Sequence, residues 1–194
     1  MMTIINYNSL LDIFINNLIP ETKIAVKKGN KIFGAFIIKK SDLSLVITGT
    51  NNEITNPLYH GEISVLINFF KFRNLNPKDY YFITSHEPCS LCLSAITWSG
   101  FDNFYYFFPY EDTKSSFKIP HDLNILKEVF NIDGGDYSKD NKYWKSFSII
   151  DKIKENEDLN NHNLIEKIEK IKLIYEKLSN EYQNAKISNY IPLK

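Results

Sequence analysis

The run "KIFGAFIIK", residues 31–39, limits the possible folds of this chain more than any other segment. A strand with one wet face alternates apolar and polar residues. Here Phe33, Ala35, Phe36, Ile37 and Ile38 are apolar at both parities, so such a strand must be covered on both faces. A sheet covered on both faces needs helices above and below it, and the rest of the chain provides them. "LSLVITGT", 43–50, follows a Ser41-Asp42 turn and completes a hairpin. "YYFITS", 80–85, and "NFYYFF", 103–108, are two further strands, and the aromatic residues of the second belong to the core. Helical spacing runs over 8–29 through Leu10, Leu11, Phe14 and Leu18. It recurs from Ile63 through Leu66, Ile67 and Phe70 to near Asn74, and again over 121–130. Pro88 and Gly100 bracket a short helix in which Trp98 is expected to be core. The order ββαβαβα predicts an α/β fold with parallel crossovers at its later strands.

With 194 residues, 43% of them hydrophobic, the chain holds one domain and an appendage. The expected division is a domain over 1–150 and a linker with a C-terminal helical extension over 151–194. "KENEDLNNHN", 154–163, reads as the linker. Beyond it Leu164, Ile168, Ile171, Tyr175, Leu178, Tyr182 and Ala185 form a heptad-like stripe, with Asn163 and Glu166 as a capping pair. The stripe is expected to pack on its own domain, with a dimer contact as the alternative. The 23 basic and 23 acidic residues balance, so no global charge draws the chain to nucleic acid or anionic lipid. Met1 to Pro20 has no basic segment or small-residue cleavage site, and no apolar run approaches the roughly 18 residues of a membrane span. A cytoplasmic protein is expected, its two cysteines reduced.

Those cysteines, Cys89 and Cys92, sit in the first turn after Pro88, where residues three apart share a side. The positive end of a helix favours the thiolate that binds metal. His60 opens the preceding helix. Three ligands leave the fourth position of a tetrahedral zinc open, as catalytic zinc sites require; there is no third cysteine to close a structural site, His86, His121 and His162 are the other candidates for closing it, and the open site is favoured. Glu62, two residues after His60, is a candidate base beside that open position.

His60-Gly61-Glu62 followed by Pro88-Cys89-Ser90-Leu91-Cys92 resembles the H-x-E…P-C-x-x-C signature of the zinc-dependent base deaminases. "FGA" (33–35), "GTNN" (49–52) and "EPCSLCLSAI" (87–96) are similar to segments of guanine and tRNA adenosine deaminases, and "HGEIS" (60–64) to fungal cytosine deaminases. The resemblance covers about residues 30 to 110. It departs at Ile32, where those families usually carry Pro, and in a shorter loop between Asn51 and His60.

The resemblance implies a cytidine deaminase-like three-layer sandwich, a mixed five-stranded sheet with helices on both faces. It implies Zn2+ held by His60, Cys89 and Cys92, with Glu62 as the catalytic proton shuttle. Asn51 would contact the substrate, with Asn52 the alternative, and the Gly61 N–H would do the same. The expected reaction is hydrolytic deamination of a base, nucleoside or nucleotide, cytosine or guanine type favoured, in a homodimer. Adenosine in tRNA is the nearest alternative, and lacks support from a basic cluster. A thiol redox protein using Cys89 and Cys92 leaves His60 and Glu62 unexplained. A catalytically silent partner subunit leaves Glu62 unexplained. Asp112 and Asp122 are each read first as surface carboxylates.

Overall fold

In a computed structural model, residues 5–155 and 162–194 are described. The five strands are β1 (Gly34–Lys39), β2 (Leu45–Thr50), β3 (Tyr80–His86), β4 (Asn103–Phe108) and β5 (Lys145–Ser148). They form one mixed sheet in the order β2-β1-β3-β4-β5. The β1–β2 hairpin and the β1–β3 pair are antiparallel, and β3–β4 and β4–β5 are parallel. The expected fold class is therefore present, including the two parallel crossovers.

Both parities of β1 are buried for the predicted reason. Phe36 and Ile38 enter one cluster with Leu11, Phe14, Leu18, Ile83 and Phe107. Ala35 and Ile37 enter the other with Val65, Phe69, Phe82, Ile96 and Phe104. The first layer is built by helix α1 (Tyr7–Ile13), a π turn (Phe14–Leu18) and α2 (Ile19–Lys27), which run on without a break. The π turn sits just before Pro20, whose missing N–H cannot serve the regular ladder, and Ile19 N–H reaches back to Phe14 O. On the opposite face lie α3 (Gly61–Phe69) and α4 (Ser90–Trp98).

Several expectations are corrected by these elements. Helix α3 ends at Phe69, not near Asn74, and its inward face is Glu62, Val65, Leu66 and Phe69, while Ile67 and Phe70 are about half exposed. The inward carboxylate sets the phase of the helix, and apolar spacing alone could not register it. Trp98 is 91% exposed because Cys92 and Ile96 carry the inward face of α4. Strand β5 was not legible, since "KSFS" is short and polar at alternate positions. Between β4 and β5 lie α5 (Tyr110–Ser115) and α6 (His121–Phe130), and α7 (Ile149–Glu155) takes the start of the expected linker. Residues 156–161 of that linker lie outside the described residues.

The last helix, α8 (His162–Ala185), buries Leu164, Ile168, Ile171, Tyr175, Leu178 and Tyr182. All six join the cluster that holds Leu10, Leu11 and Phe14, so the stripe packs on its own chain. Ala185 is exposed and does not extend it. Nor do Asn163 and Glu166 cap the helix. Asn163 lies inside α8, and its side-chain amide donates to Asn8 Oδ1 at 3.3 Å.

Candidate active site

Two helix starts meet beside the ends of β1 and β3. His60 is the residue before α3 and Cys89 the residue before α4, both in extended backbone, and Cys92 follows in the first turn of α4. Gly61 makes this approach possible: a Cβ there would lie 2.6 Å from the Gly34 Cα at the start of β1. No side chain can yield at a backbone atom, so only glycine fits.

One donor atom from each of His60, Cys89 and Cys92 lies within 4.8 Å of the others. His60 Nδ1 stands 3.4 Å from Cys89 Sγ and 3.7 Å from Cys92 Sγ. Cys92 Sγ also lies 3.3 Å from Glu62 Oε2, and Glu62 is 5% exposed. Two thiols and an imidazole, unlinked by a disulfide and set at two helix N-termini, are the soft and borderline donors that suit zinc.

The electrostatics follow from this crowding. Hydrogen bonding from Cys92 holds the Cys89 thiol well below its ordinary range, against burial and with help from His60. Burial pushes the Cys92 thiol well up, and the Cys89 and Glu62 charges add to it. Burial opposes a charged His60, but its contacts with Cys89 outweigh that and raise it to about 9. Burial, then the Cys89 charge, raises Glu62 to about 7. A carboxyl that gains and loses its proton near neutrality suits a proton carrier.

His60 and Cys89 open onto a cavity of about 240 Å³. Its walls are largely apolar, with Phe33, Leu58, Ile119, Ile125 and Ile191 among them. Its polar groups include Lys31, Glu53, His121 and Asp122. Burial raises Asp122 well above the usual carboxylate range, with the Cys89 charge adding. Asp112 is elsewhere, in a surface groove with Ser116, Lys172 and Glu176.

Asn51 and Gly61 are brought together with each other. Gly61 N–H donates to Asn51 Oδ1 at 2.6 Å, and Asn51, 1% exposed, donates through Nδ2 to Glu53 Oε2 at 2.9 Å. Neither lines the cavity, whose wall includes their neighbours Glu53 and His60. Asn52 is exposed and accepts from Thr55 Oγ1 in the same loop. The sequence reading missed Lys31, Glu53 and the wall residues Ile191, Pro192 and Leu193. None carries a local signal, because an ion pair between positions 31 and 53 is formed only through space.

Beyond the metal-type cluster, Glu87 fixes the turn that presents Cys89. Its carboxylate accepts from the Tyr110 N–H at 3.1 Å, Tyr137 Oη at 2.8 Å and Lys139 Nζ at 2.7 Å. Tyr110 Oη donates to the Pro88 carbonyl in the same network.

This sheet, with a histidine and two cysteines at paired helix starts, defines the class of zinc-binding base deaminases. The chain belongs to the cytidine and deoxycytidylate deaminase zinc-binding family, whose model matches residues 11–108. It is 29% identical over 93 residues to a tRNA-specific adenosine deaminase of Rickettsia typhi. That match takes in 45% of this chain and 62% of the relative, so the chain spans about three fifths of the relative's length. Among solved structures, a guanine deaminase from Nitrosomonas europaea is similar at TM-score 0.55 and 14% identity, covering 95% of this chain and 96% of that one. One from Bacillus subtilis is similar at TM-score 0.54 and 23% identity, covering 71% and 87%. At such identities these two likenesses speak for the fold. Among the described residues no helix is long and apolar enough to cross a membrane.

Proposed function

We propose that this protein is a zinc-dependent hydrolytic deaminase of a free nucleobase of cytosine or guanine type. The observation that carries the substrate class is the cavity at His60 and Cys89. Its 240 Å³ fall below the roughly 300–1,000 Å³ of pockets that take drug-sized ligands, so a single planar base is the better match. Apolar walls suit the faces of such a base, and Asp122, favoured as the neutral acid, offers an O–H and a carbonyl oxygen to its edge.

His60, Cys89 and Cys92 are the residues that would hold zinc. Zinc supplies a Lewis acid that activates water for attack on the amino-bearing ring carbon. Glu62 would carry one proton of that water to the ring nitrogen and then the second, from the hydroxyl newly bonded to the ring carbon, to the amino group, which leaves as ammonia as the carbonyl forms. The low dielectric around the buried Glu62 keeps it able to bind a proton near neutral pH. As they stand, Asn51 and the Gly61 N–H bond each other and hold the start of α3, and either meets the base only if that bond opens.

The second reading is adenosine deamination in tRNA, favoured by the relative from Rickettsia typhi. An ammonia-release screen decides between them. Bases, nucleosides, nucleotides and an anticodon stem-loop are offered to the zinc-loaded protein. Turnover of a free base is the expected result, and turnover of the stem-loop alone would overturn the substrate class.

A further inference from the structure

Glu53 belongs to no motif, yet it stands between the cavity and the start of α3 with 3% of its surface exposed. Lys31 Nζ donates to its Oε1 at 2.6 Å, and the Lys31 N–H donates to Oε2 at 3.4 Å. Asn51 Nδ2 donates to Oε2 at 2.9 Å. On its remaining side is His60, whose Nε2 lies 3.9 Å from Oε1. A buried carboxylate is costly unless its charge and lone pairs are matched. Lys31, itself 5% exposed, supplies that match. The ion pair explains why the carboxylate is tolerated, but not why it lies against the imidazole.

The orientation of His60 accounts for that placement. Its Nδ1 faces both sulfurs, at 3.4 Å and 3.7 Å. An imidazole that gives Nδ1 to a metal carries its proton on Nε2, and that N–H needs an acceptor to fix the ring and its tautomer. The same network also grips the backbone, because Asn51 Oδ1 accepts the N–H of the next residue, Gly61, at 2.6 Å. Lys31, Glu53 and Asn51 thus place a carboxylate beside the rear nitrogen of His60 and hold the main chain at the next residue.

We infer that Glu53 is a positioning residue for His60. Its carboxylate accepts the Nε2 proton and fixes the ring so that Nδ1 faces Cys89 and Cys92. A small side-chain rotation closes 3.9 Å to hydrogen-bonding range, about 2.7–3.2 Å. Glu53 acts through His60 and takes no part in proton transfer. The inference rests on the reading of His60 as a zinc ligand.

The test is zinc affinity, measured by competition with a chromophoric chelator, on wild type, Glu53→Ala and Glu53→Asp. Aspartate keeps a carboxylate for Lys31 but withdraws it from His60 by one methylene. Both variants should bind zinc about 10- to 100-fold more weakly, the usual effect of removing an acceptor behind a ligand. Glu53→Asp should meanwhile keep a metal-free melting temperature close to wild type, which a purely structural ion pair would also allow, but with zinc affinity unmoved. Affinity within about twofold of wild type in Glu53→Asp overturns the positioning role. Wild type that binds no zinc overturns the ligand reading itself, so the two failures are distinguishable. Should neither variant fold, nitrogen-15 histidine spectra of the zinc-loaded wild type still decide. Coordination through Nδ1 with a slowly exchanging Nε2 proton is expected, and coordination through Nε2 overturns the inference.

Discussion

Glu62 Oε2 and Cys92 Sγ lie 3.3 Å apart, so the first turns of α3 and α4 touch through a carboxylate and a thiol. The proposed proton carrier and a proposed metal ligand thus share one buried volume with His60 and Cys89. Removing either partner tests a different half of the chemistry.

The purified protein is expected to carry about one zinc per chain, since open zinc sites use three protein ligands. Elemental analysis of Cys89→Ala should find most of that zinc gone. Zinc content equal to wild type would locate the metal away from His60, Cys89 and Cys92.

Zinc uptake should release protons. In the metal-free protein His60 titrates at about 9, and burial raises the Cys92 thiol, whereas Cys89 is held low. Ligands bind metal in their deprotonated forms, so near neutral pH His60 and Cys92 each give up a proton and Cys89 does not. Affinity therefore rises with pH, more steeply below about 9, where both His60 and Cys92 hold protons to lose, than above it, where Cys92 alone does. Calorimetry in buffers of different ionisation enthalpy counts the protons, and none released would contradict this ordering.

Glu62→Gln should keep zinc and lose activity by about 100-fold or more, the usual contribution of a general acid–base group. It should also stabilise the metal-free fold at alkaline pH. Glu62 is raised in the folded chain from 4.5 to about 7, so the folded state holds the proton more tightly and loses stability as pH rises between those values. The variant's advantage in melting temperature should be full above pH 7 and vanish below pH 4.5. An equal melting temperature at every pH would remove the burial cost assigned to this carboxylate.

Gly61→Ala should cost about 1–3 kcal/mol, the usual range for overpacking. The new Cβ would meet backbone atoms of Gly34 at 2.6 to 3.1 Å, and only a shift of α3 away from β1 relieves it. Since that shift carries His60, zinc affinity should fall with stability. A chemical denaturation midpoint like that of wild type would show that the contact is looser than its geometry.

Ile171→Asp places a carboxylate at a position with 0% exposure inside the α8 contact. The expected result is a loss of several kcal/mol, typical of a buried unpaired charge, with no change in the mass by light scattering. A fall in mass at constant melting temperature would mean instead that the helix serves an interface between copies.

Local features of the chain determined much of this protein. The double-parity burial of β1, the hairpin around Ser41 and Asp42, and the helix starts at His60 and Cys89 are written in neighbouring residues, because strand pleat and the start signals of a helix act over a few positions. The meeting of His60, Cys89 and Cys92 was legible for the same reason, with each residue at or inside a first turn. Tertiary structure alone decided the rest. It turned Glu62 inward and so left Ile67 and Phe70 outside, exposed Trp98, and recruited β5 by pairing with β4. It joined Lys31 to Glu53 and brought residues 191–193 to the cavity wall. Burial and charge pairing depend on which surfaces meet in space, and residues far apart in the chain share no period that announces their meeting.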